Sequence, residues 1–189
     1  AARDPYVVGD LVAGTAGGPR RAARLLQSTD VVILQHEYGV YGGPDGDEVL
    51  ELLADLTVPS IVVLHTVLTS PTAHQRTVLE DVCRLADAVV TMTATARDRL
   101  AAGYAVDMSK VHIIPHGAPA TRINHSPLFR TGRPTVLTWG LIGPGKGIEW
   151  AIEAMAGLKD LAPSYIVAGQ THPQVRANQG KAYPNVLTP

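Results

Sequence analysis

The sequence predicts an α/β protein built on parallel sheets. Short β-branched runs alternate with longer stretches at helical spacing, and the strand-like runs are almost wholly apolar, as in strands covered by helices on both faces. A change of texture past the middle of the 189 residues divides the chain in two.

Strands are expected at 30–35 (DVVILQ), 60–65 (SIVVLH), 88–92 (AVVTM) and 111–115 (VHIIP). Helices are expected at 19–27, 47–55, 73–86 and 93–102, where Leu, Val and Ala recur on one face and charged residues on the other. Strand then helix, repeated, requires parallel pairing through crossovers. After Pro115 the chain reads HGAPATRINHSPLFRTGRP, rich in Pro, Gly and polar residues, which marks a boundary. The expected division is a domain at 1–117, a linker at 118–133 and a second domain at 134–189. The second domain should hold a strand at 135–139 (TVLTW), a helix at 148–158, a strand at 164–168 (SYIVA) and a polar tail from Gly169. Two strands cannot enclose a core, so this unit is expected to begin a larger domain.

Composition excludes several classes. The formal net charge is -1, with 16 Lys plus Arg against 17 Asp plus Glu and no long runs, so nothing draws in a nucleic-acid backbone. The single cysteine, Cys83, cannot form an internal disulfide, which points to the cytosol, and its place in a helical pattern marks it as core filling. No apolar run approaches the ~20 residues that span a bilayer. Peripheral attachment to a membrane is compatible with the composition.

In an open parallel sheet, ligands bind beyond the carboxyl ends of the strands. The first strand runs into His36, Glu37, Tyr38, Gly39, Gly42 and Gly43, the second into His65 and Thr66, and the fourth into His116 and Gly117. Three histidines at one edge suggest a site, although a strand-end histidine is more often structural. His65 is the strongest of the three, because the apolar run stops at it and a neutral imidazole there can donate a hydrogen bond into the cleft. His116 could equally orient the domain boundary, and Glu37 could be a solvated loop acid. The glycines at 39, 42, 43 and 46 permit either close approach of a ligand or plain turns, and Asp47 is placed to cap the following helix. No tight His/Cys/Asp spacing suggests a metal. In the second unit, GLIGPGKGIEW sets Lys146 and Gly147 directly before a helix, where free N–H groups and a cation suit a phosphate or diphosphate.

Taken together, DVVILQHEYGVYGG, VPSIVVLHTVL, ADAVVTMTATARDRL, KVHIIPHG, GLIGPGKGIEWAIEAM and YIVAGQTHP resemble retaining glycosyltransferases of family 4, in particular a bacterial subgroup. The resemblance covers nearly the whole chain. It implies the GT-B fold, two facing Rossmann-like domains, and transfer of a sugar from a nucleoside-diphosphate donor to an acceptor with retention of configuration. It implies no required metal and no cofactor beyond the nucleotide sugar. Lys146 would contact the donor diphosphate with Gly147, Gly140 would line the donor pocket, and His65 would lie near the donor sugar and the reacting centre. His36, Glu37, Gly39, Gly42, Gly43 and His116 would belong to the acceptor side or the cleft.

Two departures stand out. Leu141 occupies the position at which many relatives carry Arg, and the family's paired glutamates, eight apart, would fall after Pro189. The family's first strand and glycine loop are likewise expected before residue 1, and the stretches at 119–121 and 174–184 read as junctions where residues are missing. As given, the polypeptide is expected to be inactive by itself. A nucleotide-sugar epimerase of the same fold would share the diphosphate site, and a non-catalytic nucleotide-sugar-binding protein would account for Leu141. The sugar, base, acceptor and oligomeric state are not legible in the sequence.

Overall fold

The computed structural model describes residues 4, 6–120, 132–158 and 160–171. The chain forms two compact units, Ala1–Pro119 and Ala120–Pro189.

The first unit runs α1 (Gly18–Leu26), β1 (Val32–His36), α2 (Glu48–Asp55), β2 (Ser60–Leu64), α3 (Ala73–Leu85), β3 (Ala88–Thr91), α4 (Ala94–Gly103) and β4 (Val111–Ile113). Its four strands are all parallel, in the order β1-β2-β3-β4. Local chemistry sets the helix ends. Pro19 opens α1, where its missing N–H costs nothing. The Thr72 hydroxyl accepts from the Gln75 N–H while the Gln75 side chain accepts from the Thr72 N–H, a capping box at the start of α3. Thr93 caps α4 through the Ala96 N–H. At the other end of α3, Lys110 Nζ donates to the carbonyls of Arg84 and Ala86 and satisfies acceptors the helix leaves open.

One expectation fails at α2. Asp47 has helical backbone angles and makes no side-chain cap, because a 3-10 turn over Pro44–Gly46 leads straight into the helix. Its carboxylate faces His74 instead, at 3.5 Å from Nε2.

A second expectation fails for the sheet as a whole: among the described residues, helices cover one face only. Each crossover steps one strand in the same direction, and right-handed crossovers that all step the same way place every helix on the same side. The core joins Leu34, Val62, Leu64, Val89 and Val111 of the sheet to Ala23, Val49, Leu53, Leu79, Val82 and Leu100 of the four helices. On the opposite face, Ile33 is 60% exposed and Ile114 is also open.

Cys83 lies in this core, and burial pushes its thiol up to about 12. It is therefore protonated and inert at neutral pH. Ellman's reagent should label it only after denaturation; rapid labelling of the native protein would contradict the packing described.

The second unit contains β5 (Thr135–Trp139), α5 (Ile148–Ala156) and β6 (Ser164–Ala168), with β5 and β6 parallel. A single bridge, Ile142 to Thr171, extends the pairing. The central part of the expected linker, 121–131, and the tail 172–189, with the last two residues of the GQTHP segment, lie outside the described residues.

Candidate functional site

Strand parity decides which candidates of the first unit meet. Successive residues of β1 alternate in burial, so Val32, Leu34 and His36 face the helices while Ile33 and Gln35 face the open side. On β2 and just past it, Ile61, Val63 and His65 share the open side. The ladder continues one residue beyond β2, with the His65 N–H donating to the His36 carbonyl at 3.0 Å.

His65 Nε2 lies 2.7 Å from Gln35 Oε1. With the amide oxygen as acceptor, Nε2 carries the proton and Nδ1 keeps its lone pair. The hydrogen bond expected to reach into a cleft is thus spent on Gln35, and Nδ1 is the nitrogen left to a ligand. The His116 ring is tilted against His65, with centroids 6.1 Å apart. Both histidines, with Gln35, Met92, Pro115 and Gly117, border a pocket of about 300 Å³ floored by the apolar open face.

His36 does not join them. It is 1% exposed on the helix side, neither ring nitrogen has a partner among the described residues, and its ring meets Tyr38 edge-on at 5.3 Å. Burial, opposed by the Glu37 charge and aided by His65, lowers its pKa to about 4, so it stays neutral. Expected as a cleft candidate, it is a core residue of the sheet edge.

Glu37 is no loosely solvated acid. One carboxylate oxygen accepts from the Thr66 hydroxyl and the other from the Tyr38 N–H at 3.1 Å, which ties the loop after β1 to the residue beside His65.

Most of the glycines have structural reasons. A Cβ at Gly42 would strike the Glu48 carboxylate, which accepts from the Gly14 N–H at 3.1 Å. Gly43 and Gly46 have φ of 78° and 76°, and a Cβ at Gly46 would sit 2.7 Å from the Tyr38 carbonyl. Gly39 meets nothing within 4 Å and has no left-handed backbone. Gly46→Ala should therefore lower unfolding stability by about 2 kcal/mol or more, from left-handed strain plus the carbonyl contact. Gly39→Ala should be near neutral; urea titrations of the two variants that coincide would refute this division of roles.

The loop is clamped from α3 as well. His74 Nδ1 lies 2.9 Å from Asp45 Oδ2, and Gln75 Nε2 donates to Asp45 Oδ1 at 3.1 Å. Neither contact was legible from spacing, since 29 and 30 residues separate the partners.

In the second unit, Gly140, Lys146, Thr138, Trp139 and Ile148 border a pocket of about 220 Å³ at the carboxyl end of β5. Gly140 has φ 131°, and Gly169 packs so closely that a Cβ there would overlap the Gly140 carbonyl. Gly147 precedes α5 with φ 69° and supplies no side-chain cap, so the first N–H groups of the helix are not occupied by one. Lys146 is exposed beside them. This arrangement suits an anion. Leu141 borders the same pocket and brings no charge.

Among the described residues, no three His, Cys, Asp or Glu side chains stand together to hold a metal, and no helix is long and apolar enough to cross a membrane.

Both units are parallel α/β units with polar residues at the carboxyl ends of their strands, an arrangement that GT-B glycosyltransferases share with other doubly wound proteins. The family model described as Glycosyltransferase Family 4 matches residues 2–122, and the chain belongs to that family. Among solved structures, a mutant of S. aureus TarM in complex with fondaparinux, α-GlcNAc-glycerol and UDP is similar in fold, with a TM-score of 0.56 at 14% identity. The match covers 89% of this chain and 35% of the TarM chain, so the chain spans about a third of that structure's length. A comparison with curated protein sequences finds no match.

Proposed function

We propose that this chain is part of an enzyme that transfers a sugar from a nucleoside-diphosphate sugar to an acceptor, with retention of anomeric configuration and without a metal. The first unit holds the acceptor, the second holds the donor, and the protein works in the cytosol. The observation that carries the reading is the pocket after β5 in a family 4 chain, where Lys146 stands beside the uncapped start of α5. A departing diphosphate gains negative charge as the sugar bond breaks, and a fixed cation with backbone donors stabilises that charge most where water is sparse. UDP in the TarM complex supports a nucleotide donor. In this reading Gly140 lets the backbone approach the donor, and His65, held by Gln35, stands on the acceptor side of the reacting sugar.

The test is calorimetric titration of the intact protein with a panel of nucleoside diphosphates and their sugars, repeated on Lys146→Ala. One nucleotide should bind, and the substitution should weaken it about tenfold or more, the usual effect of losing a charge-assisted contact. A folded intact protein that binds none of the panel would remove the reading. Leu141 favours a non-catalytic binder, and binding without turnover would identify one.

A further inference from the structure

A second pocket of the first unit, about 290 Å³, opens beside the loop that follows β2. It is lined by Leu68, Thr69 and Pro71 of that loop, Arg76 of α3, and Arg99 and Tyr104 at the end of α4. No carboxylate of a described residue lines it. Arg76 is fixed in place: its guanidinium lies 5.2 Å from the centroid of the Tyr104 ring, and Nη1 donates to the Gly103 carbonyl. The platform is fixed in turn, since the buried Tyr104 donates its hydroxyl to the Leu68 carbonyl at 2.9 Å.

The charge here runs against local stability. Arg76 is the fourth residue of α3, near the positive end of the helix dipole, and the first turn carries no acidic residue. Glu80, one turn further along, accepts from the Ala105 N–H at 2.9 Å. Arg99 makes no ion pair with a described residue, unlike Arg84 and Arg97, which pair with Asp81 and Asp98. Two guanidinium groups and Thr69 thus line a space to which no described residue brings a counter-charge. Guanidinium forks match phosphate and carboxylate geometry.

We propose that this pocket binds the phosphate group of the acceptor substrate. The proposal rests on the reading of the first unit as the acceptor side. Leu68 and Thr69 belong to the same short loop as His65, which links the anion pocket to the sheet edge where His65 stands. An acceptor anchored through its anion is held at one end, and a hydroxyl elsewhere on it is the group that takes the sugar.

The intact protein is titrated with inorganic phosphate and with glycerol 3-phosphate, and is co-sedimented with vesicles of phosphatidylcholine alone or mixed with phosphatidylglycerol. Arg76→Gln and Arg99→Gln should each weaken binding about tenfold, and Arg84→Gln should leave it unchanged. Binding of the soluble phosphates identifies a small anionic acceptor; binding of phosphatidylglycerol vesicles alone, lost in both variants, identifies a lipid headgroup. Either result supports the site. Absence of binding to all probes, or equal binding by wild type and both variants, overturns it. Should Arg76→Gln not fold, Arg99→Gln and Arg99→Glu decide, because Arg99 is exposed. Nucleotide binding measured on the same variants should be unchanged, so loss of the anion site is distinguishable from failure of the donor reading.

Discussion

Replacing His65 with alanine in the intact enzyme is expected to lower kcat by about 10²-fold, the effect of losing an Nδ1 acceptor that orients a sugar hydroxyl at the reacting centre. The KM for the donor should change far less, because the proposed contact acts at the reacting centre and not on the diphosphate. Folding should be little affected, since the side chain is exposed, its lost bond to Gln35 lies at the surface, and the backbone N–H that pairs with the His36 carbonyl is kept. Gln35→Ala removes no reacting group but frees the His65 ring from its 2.7 Å bond, so it should fall between, at about tenfold. Steady-state kinetics with the donor found by calorimetry measure both. Activity of His65→Ala comparable to wild type would place the reacting centre elsewhere.

Acidification should destabilise the first unit through His36. Its folded pKa is lowered from 6.5 to about 4, so between those values the unfolded chain binds a proton that the folded chain excludes. Stability from this group is therefore fully present above 6.5, falls as pH drops, and reaches its full loss of about 3 kcal/mol near pH 4. Because neither ring nitrogen has a partner among the described residues, His36→Leu should be neutral or stabilising at pH 7. Urea denaturation of the two proteins from pH 7 to pH 4 isolates the histidine, since other groups titrate alike in both. Parallel pH profiles would mean that His36 takes up its proton in the folded state and is not the neutral core group described.

Much of the fold was legible because hydrophobic burial writes its period into the chain. The runs 30–35 and 60–65 announced β1 and β2 within a residue or two, and the Lys146-Gly147 loop announced a helix start suited to an anion. Strand parity was legible too: counting by two along 32–36 separates Gln35 from His36 and removes one of the three histidines from the cleft.

Other features are decided by partners far apart in sequence. The one-sided cover of the sheet depends on strand order, which an apolar run does not encode: Ile33 is as apolar as Leu34 yet lies open to solvent. The roles of Gly42, Gly43 and Gly46 depend on what a Cβ would strike, and Glu37 is set by Thr66 across 29 residues. Arg76 and Arg99 come from different helices, and only the packing of α3 and α4 against the loop after β2 puts both beside one pocket. Local periodicity determined which segments are strands and helices and which strand ends carry polar groups. Long-range packing decided which of those groups meet, because contact across a sheet depends on register and crossover direction, which appear only once the chain has folded.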